Sequence, residues 1–246
     1  MSIRIIGHRG AKGLAPENTV EAIKAGIAAG VDGIEFDIHL TADKQFVLSH
    51  DDSLLHVWGI DANISETGYE EVRKLTTAAK QPVATLSDAL DAVDDTPLFI
   101  EAKGSGWARQ LASFLNNHPK KSQCTVIAFN HYELYIFGQI CQNIPLYGLG
   151  RNSFDALNDA HIFGFDGIDV NFWGLNPLVY WLAHRHGFAV VTYTINQTWL
   201  ARIFRALYPS LSITTNVPQK MQFLRPRHLR VKRSRHTHLP RVRRHK

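Results

Sequence analysis

Residues 33–40, Gly-Ile-Glu-Phe-Asp-Ile-His-Leu, alternate between apolar and polar side chains with the period of a β-strand. Alternation puts Glu35, Asp37 and His39 on one face and the apolar side chains on the other. The alternative interpretation is a half-exposed strand whose acidic face is in contact with solvent. A parallel strand, however, is covered on both sides, so these carboxylates would point into the protein interior. Unpaired carboxylates are costly there, and the pattern therefore predicts a bound cation.

Strand-length apolar stretches recur along the chain, separated by amphipathic stretches of helix length. The eight principal strands are predicted at Ile3–Ile6, Gly33–Leu40, Leu98–Ala102, Thr125–Phe129, Leu146–Leu149, Gly167–Val170, Ala189–Ile195 and Leu211–Thr214. Because each is followed by a helix or a helix-like excursion, the pattern predicts a (β/α)8 TIM-type barrel, for which about 250 residues is a common length. A doubly wound open sheet is the runner-up. No G-x-G-x-x-G follows a strand, so a dinucleotide site gives that fold no support.

A small insertion is expected after the second strand, within residues 51–80. A short β stretch at Phe46–Ser49 precedes it, and glycines interrupt it, which favours irregular structure. Before the second strand, a helix opened by Pro16 is expected over Glu17–Ala29.

Polar side chains also end the neighbouring strands, where barrel enzymes carry their active sites. Glu101 and Lys103 share a face at the end of the third principal strand, and Glu101 adds a third carboxylate to an oxygen-rich site suited to Mg²⁺ or Ca²⁺. His8 ends the first strand and His50 ends the short β stretch. Two such histidines can act as general base and general acid, and Arg9 beside His8 suits the oxygens of a phosphate. The simpler alternatives are structural histidines and a surface ion pair between Glu101 and Lys103.

Charge is divided unevenly along the chain. Residues 225–246 contain ten Lys or Arg and no acid, whereas residues 1–224 hold all 22 acidic residues and 17 of the 27 basic ones. This division predicts one mildly acidic domain, 1–224, followed by a disordered basic tail, 225–246. The tail could attract an anionic membrane surface or nucleic acid, or be no more than a solvated extension.

Nothing in the composition favours a secreted protein. The two cysteines, Cys124 and Cys141, support neither a disulfide-stapled fold nor a thiolate metal site. No apolar run approaches the ~18 residues needed to span a bilayer, and the N-terminus lacks the apolar stretch of a signal peptide. The protein is therefore expected in the cytoplasm.

Four blocks of the sequence, taken together, resemble the glycerophosphodiester phosphodiesterase family. His8-Arg9-Gly10 followed by Pro16-Glu17-Asn18-Thr19 resembles the family's HRG…PENT signature. Residues 33–51 are similar to its E-x-D…T-x-D…V…HD block, residues 101–103 to its E-x-K strand, and residues 183–196 to its late AH…G…(W)TVN block. The blocks occur in the family's order across almost the whole domain.

The resemblance implies a TIM barrel that hydrolyses glycerophosphodiesters to glycerol 3-phosphate and an alcohol. The residues that it implies are Glu35, Asp37 and Glu101 as ligands of one Mg²⁺ or Ca²⁺, His8 and His50 as the acid–base pair, and Arg9 and Lys103 as phosphate-binding residues. The sequence leaves open which histidine is the base, and whether water or the glycerol 2-hydroxyl attacks the phosphorus.

Three positions depart from the family's usual pattern. Tyr193 stands where Trp is usual, Asn216 stands where Asp is usual, and an Arg that often follows the HD motif is replaced near His56. These departures bear on substrate preference more than on the catalytic set. Two alternative functions stay open: a phospholipase D-like enzyme acting on lysophospholipids, and a non-catalytic barrel that binds anions or nucleic acid. A binding module would need none of the five acidic and histidine residues of the site, which argues against the second alternative.

Overall fold

The polypeptide forms a closed barrel of parallel strands surrounded by helices. In the computed structural model, which describes residues 4–225, the strands are β1 (Arg4–Gly7), β2 (Gly33–Leu40), β3 (Phe46–Leu48), β4 (Leu98–Ala102), β5 (Cys124–Ala128), β6 (Leu146–Gly150), β7 (Gly167–Asn171), β8 (Ala189–Tyr193) and β9 (Ser212–Thr215). Neighbouring strands pair in the order β1-β9-β8-β7-β6-β5-β4-β2, and pairing of β1 with β2 closes the ring. β3 is antiparallel to β2 and lies outside the ring. The predicted (β/α)8 barrel is confirmed.

Helices follow the strands around the outside of the barrel. They are α1 (Val20–Ala28), α2 (Leu55–Trp58), α3 (Tyr69–Ala78), α4 (Leu86–Asp91), α5 (Ala108–Asn116), α6 (His131–Ile140), α7 (Ser153–Phe163), α8 (Pro177–Arg185), α9 (Thr198–Leu207) and α10 (Pro218–Met221). Short 3₁₀ turns lie at Ile64–Glu66, Lys121–Gln123, Phe172–Gly174 and Gln222–Leu224.

Alternation along the strands separates two apolar regions. Inward-pointing side chains form a small core inside the barrel, made of Ile6, Phe99, Ile127, Leu149 and Val191. Outward-pointing side chains, Phe36 of β2 among them, belong to the larger core between the strands and the helices. β2 is buried on both faces, as the sequence predicted. Its carboxylates therefore face the barrel interior.

Helix α1 begins three residues later than predicted. Its N-cap is Thr19 and not Pro16, because the Thr19 hydroxyl accepts a hydrogen bond from the backbone N–H of Ala22 at 3.1 Å. Asn18, just before the cap, has a left-handed backbone with φ of 56°. The residues of the PENT motif are thereby kept out of the helix; the side chain of Asn18 reaches Asp37, and that of Glu17 reaches Arg9.

The expectation of irregular structure across residues 51–80 is wrong. Gly68, which interrupts the sequence pattern, is the N-cap of the ten-residue helix α3. This helix is polar overall and buries only two of its side chains, so few apolar residues marked it in the sequence. The insertion has a core of its own beside β3, made of Val47, Leu54, Ile64, Val72 and Val83.

The described part of the chain ends on Arg225, which is held against the barrel. Its guanidinium donates to the carbonyl oxygen of Gly30 at 2.9 Å and pairs with Asp32. The rest of the predicted tail, residues 226–246, lies outside the described residues. Within residues 4–225 no helix combines the length and the apolar character needed to cross a membrane. The expected cytoplasmic location stays a prediction from the sequence.

Candidate active site

One cavity of about 600 Å³ opens at the C-terminal ends of the barrel strands. It is lined by six of the seven predicted site residues, namely His8, Arg9, Glu35, His50, Glu101 and Lys103. The seventh, Asp37, is 1% exposed and lies against the side chain of Lys103. The structure thus brings the whole predicted set into one place.

The three predicted metal ligands converge because β2 and β4 are hydrogen-bonded neighbours. Their register pairs Asp37 with Glu101, and Glu35 stands two residues earlier on the same face of β2. One carboxylate oxygen from each of the three lies within 4.8 Å of the others. The cluster therefore has the size and shape of a single cation site.

The chemistry of this cluster fits a divalent cation. Oxygen Oε1 of Glu35 is buried without a hydrogen-bond partner. Burial, together with the charges of Asp37 and Glu101, raises the pKa of Glu35 well above its usual range, and burial and Asp37 raise the pKa of Glu101 to about 7. A cation would reverse this cost by favouring the ionised carboxylates. An all-oxygen donor set suits a hard ion such as Mg²⁺ or Ca²⁺.

Lys103 is one of two side-chain cations that the protein itself places against the cluster, the other being Arg9. Its Nζ lies 2.6 Å from Oε1 of Glu101 and 3.0 Å from Oδ1 of Asp37. Burial opposes the charge of Lys103, but the two carboxylates outweigh it and raise its pKa. Lys103 is therefore a fixed cation at the base of the cavity.

Asp37 is the most firmly held of the three carboxylates. Its Oδ2 accepts a hydrogen bond from the side-chain amide of Asn18 at 2.9 Å, while the backbone N–H of Asp37 donates to Oδ1 of Asn18 at 3.1 Å. Burial disfavours its charge, but Lys103 and Arg9 lower its pKa to about 2. The Asn of the PENT motif is thus a positioning residue that sequence reasoning did not single out.

Arg9 is tied to carboxylates rather than left open for a ligand. Its backbone, in the left-handed region with φ of 51°, donates from N–H to Oε2 of Glu35 at 2.8 Å. Its Nη1 donates to Oε1 of Glu17 at 2.6 Å, and its Nε lies 3.4 Å from Asp37. Arg9 lines the cavity, yet part of its guanidinium is already engaged. Its phosphate-binding role stays a prediction.

His8 is held by a residue from the far end of the domain. Its Nδ1 lies 2.6 Å from Oδ1 of Asn216, and the backbone N–H of Asn216 donates to Oδ1 of Asn196 at 2.9 Å. Because an amide oxygen can only accept, Nδ1 carries the proton and Nε2, 4.0 Å from Oε2 of Glu35, carries the lone pair. Burial and the neighbouring Arg9 lower the pKa of His8 to about 4, so the ring is neutral at neutral pH.

His50 sits in a wetter environment than His8. Its side chain is 36% exposed, and its Nδ1 lies 2.7 Å from Oδ1 of Asp51. Burial lowers its pKa. The backbone carbonyl of His50 contacts Nε2 of His39 at 3.2 Å, which fixes the end of the hairpin formed by β2 and β3. The two histidines therefore have different partners and different exposure.

The cavity also contains residues that the sequence reasoning missed. Asp169, on β7, is buried with Oδ1 unpartnered, and burial and the charge of Glu101 raise its pKa well above the usual range. It was detectable as an inward-facing acid in the strand Gly-Ile-Asp-Val-Asn. Tyr193, which the sequence marks as a departure from the family's pattern, also lines the cavity, with its hydroxyl donating to the carbonyl of Gly150 at 3.1 Å. Arg151 lies beside them at the opening.

Known proteins resemble this chain in sequence and in fold. Residues 8–227 match the model of the Glycerophosphoryl diester phosphodiesterase family. A glycerophosphodiester phosphodiesterase of Caldanaerobacter subterraneus subsp. tengcongensis is 28% identical over 148 residues, which are 54% of this chain and 61% of that protein. Lysophospholipase D GDPD1 of Homo sapiens is 32% identical over 111 residues, which are 40% of this chain and 35% of that protein.

The barrel has a close counterpart among solved structures. A phosphodiesterase of Oleispira antarctica, solved in complex with the product sn-glycerol-3-phosphate, superposes with a TM-score of 0.81 at 21% identity, covering 91% of this chain and 96% of that one. The family match spans almost all of the described barrel and includes every predicted site residue. The chain therefore belongs to the Glycerophosphoryl diester phosphodiesterase family.

Proposed function

We propose that the protein hydrolyses glycerophosphodiesters to glycerol 3-phosphate and an alcohol in a divalent-metal-dependent reaction. The observation that carries the proposal is the convergence of three buried carboxylates beside His8 and His50 in one cavity. A divalent ion held by Glu35, Asp37 and Glu101 would polarise a phosphoryl oxygen and offset the negative charge of the transition state. The remaining chemistry falls to side chains of the protein.

His8 suits the role of general base. It is neutral, its Nδ1–H is held by Asn216, and its Nε2 faces the carboxylate cluster. In the proposed step, Nε2 takes the proton of the attacking hydroxyl as the new P–O bond forms. The attacking hydroxyl belongs either to water or to carbon 2 of the glycerol, in which case a cyclic phosphate forms first and water then opens it.

His50 suits the role of general acid. Burial lowers the pKa of His50, and Asp51, placed to accept from Nδ1, partly offsets that effect. In the protonated ring Nδ1 would donate to Asp51, and Nε2 would hold the proton for the substrate. That proton passes to the ester oxygen as the P–O bond to the alcohol breaks. Lys103 and Arg9 both line the cavity and are the proposed phosphate-binding cations; in this structure Lys103 is paired with Glu101 and Arg9 with Glu17.

The direct test is to measure glycerol 3-phosphate released from a panel of glycerophosphodiesters by wild type and by Glu35→Gln. The substitution keeps the side-chain size but removes one anionic metal ligand. We expect release by wild type in the presence of Mg²⁺ or Ca²⁺ and a loss of at least about 10²-fold in the variant, comparable with losing one transition-state contact. Equal release by the two proteins would remove the carboxylate cluster from the mechanism.

A lysophospholipase D activity is a second candidate. It is favoured by the similarity to the human lysophospholipase D over 111 residues and by the large apolar side chains at the mouth of the cavity, such as Phe129 and Trp173. Glycerophosphocholine and lysophosphatidylcholine share the phosphodiester and differ in the acyl chain. Comparing kcat/KM for the two substrates separates the candidates, because a preference for the acylated substrate would establish the second.

A further inference from the structure

Large apolar side chains stand exposed at the active-site end of the barrel. Four consecutive helices, α6 to α9, each carry one at their second residue, and these are between 54% and 66% exposed: Tyr132, Phe154, Leu178 and Trp199. Each of these helices follows a barrel strand, so its first turn lies at the end where the cavity opens. Phe129 and Trp173, in the loops after β5 and β7, add to the same side. We call these six residues the apolar crescent.

The apolar crescent reaches the cavity through its two loop residues. Phe129 and Trp173 both line it, and Trp173 is 85% exposed. The ring of Phe129 packs edge-on against Tyr193 with centroids 6.4 Å apart. The ring of Trp173 lies on Phe172 at 4.8 Å, and Phe172 in turn packs on the buried Phe204 of α9 at 6.3 Å. These contacts hold the loop side chains against the folded part of the barrel although their outer surfaces face solvent.

The composition of the crescent fits a lipid surface. Trp and Tyr concentrate where apolar and polar phases meet, because each combines a large apolar ring with a polar group. A contiguous exposed apolar patch on a soluble domain ordinarily marks a binding surface. Five of the six crescent side chains are aromatic, and none is a small aliphatic residue.

The charges of the surrounding chain favour a phospholipid as the occupant. Arg151, exposed at the cavity opening, supplies a cation for a lipid phosphate. The first turns of α8 and α9 contain no acid. The acids in the first turns of α6 and α7 are engaged within the protein: Glu133 accepts hydrogen bonds from two backbone N–H groups, and Asp155 accepts one from the side-chain amide of Asn152.

We propose that the apolar crescent seats the mouth of the barrel on the surface of a phospholipid bilayer. An amphiphilic phosphodiester could then present its phosphate to the cavity while its acyl chain stays in the lipid. The seating stands on the crescent alone, whereas this use of it rests on the proposed function. Chain geometry agrees, because the crescent and the cavity opening share one end of the barrel.

The test compares two double variants of the full chain that alter the same two helices. Phe154→Ser with Trp199→Ser changes the crescent at the start of α7 and α9 and leaves the cavity lining intact. Ile162→Ser with Leu207→Ser changes the far ends of α7 and α9, at residues that are 64% and 61% exposed. Both pairs remove exposed apolar surface, and only the first lies at the active-site end.

Binding is measured by flotation with vesicles of an equimolar mixture of phosphatidylcholine and phosphatidylglycerol. A high ionic strength screens the contribution of the basic segment beyond residue 225. We expect the crescent pair to weaken vesicle binding about tenfold or more, because two aromatic rings that would enter the lipid are lost. The control pair should bind within about twofold of wild type.

Three results would overturn the proposal. In the first, the Phe154→Ser, Trp199→Ser variant binds vesicles as tightly as wild type. In the second, both double variants lose vesicle binding to the same extent. In the third, wild type does not bind vesicles but forms a dimer, and the Phe154→Ser, Trp199→Ser variant does not form that dimer. The dimer would identify a second copy of the chain as the occupant. Turnover of glycerophosphocholine is measured in parallel. It is expected to be unchanged in both pairs, so a failure of the vesicle result is distinguishable from a failure of the proposed activity.

Discussion

His8 and His50 occupy unlike environments, one buried and bonded to an amide, the other half-exposed and bonded to a carboxylate. If they act as base and acid, His8→Ala and His50→Ala should each lower kcat by roughly 10²–10⁴-fold, the usual worth of a positioned proton-transfer group. The control is His161→Ala, which removes an exposed histidine in the last turn of α7 and should leave kcat unchanged. Near-normal turnover in either site variant would remove that histidine from the mechanism, whereas loss of cooperative unfolding would assign it a structural role.

Asn216 fixes the tautomer of His8 through its contact with Nδ1, and a charged residue at position 216 gives a prediction with a definite sign. Asn216→Asp would put a carboxylate where an amide oxygen now lies 2.6 Å from Nδ1. An anion stabilises the imidazolium, so the pKa of His8 should rise from about 4. Since the neutral ring is the proposed base, the acidic limb of the pH profile of kcat/KM should move to higher pH. Asn158→Asp, an exposed position on α7, adds the same charge away from the site and should leave the profile in place. A profile that Asn216→Asp does not move would contradict the role given to His8.

The residues of the site differ in whether a short stretch of sequence is enough to predict them. Glu35, Asp37 and Glu101 were predictable because strand alternation and neighbouring strand ends determine where they point. The contact of Asn216 with His8 spans 208 positions in the sequence, and no local pattern contains it. Asp169 was overlooked although its strand has the same alternation, because a single inward acid lacks the second carboxylate that marked β2.

The turn between β1 and α1 depends on Gly10. Its φ is +85°, and a Cβ there would lie 2.6 Å from the backbone carbon of Ala22. Gly10→Ala should therefore lower the free energy of unfolding by about 2–4 kcal/mol, since backbone strain and a steric clash add together. Gly59→Ala is the matched control: its φ is +70° and nothing lies within 4 Å of its added Cβ, so only the strain of about 1–2 kcal/mol should appear. The measurement is the free energy of unfolding of both variants in urea. Equal decreases for Gly10→Ala and Gly59→Ala would mean that the surrounding structure relieves the clash at Gly10.

At the scale of elements, the strands were predictable and the start of α1 was not. Buried parallel strands can be predicted because they are near-continuous apolar runs in the sequence. The start of α1 depends instead on one hydrogen bond, from the backbone N–H of Ala22 to the Thr19 hydroxyl. Helix α3 was missed because it packs on a small separate core through only two side chains. Both misses concern interactions that depend on how a segment meets its neighbours.

At the scale of the whole molecule, the basic segment beyond Arg225 is predicted to be dispensable for chemistry. Deleting residues 226–246 retains the bond of Arg225 to Gly30 and should leave kcat on a soluble substrate unchanged. Binding to DNA or anionic vesicles at low salt should drop sharply, because nine Lys or Arg are removed. A large decrease in kcat after the deletion would show that the segment contributes to the folded enzyme. Binding to DNA or vesicles that persists at low salt would show that the barrel itself carries a basic patch.

The barrel as a whole followed from the repeated alternation of strand and helix patterns, and the family followed from four short blocks whose order the fold explains. Three of those blocks end barrel strands or the β3 hairpin and meet around one cavity, while the late block lines it with Tyr193 and positions Asn216 through Asn196. The apolar crescent was not predictable, since scattered aromatic residues become one surface only when four helices are aligned around the barrel.

The central claim is that Glu35, Asp37 and Glu101 hold a divalent ion on which hydrolysis depends. It is tested most directly by measuring glycerol 3-phosphate release from glycerophosphocholine after treatment with EDTA, before and after Mg²⁺ or Ca²⁺ is returned. The claim predicts that release is lost in EDTA and recovered with one of the two ions, because Glu35 and Glu101, whose pKa values burial raises, need a cation to favour their ionised forms. Full activity in EDTA would contradict it.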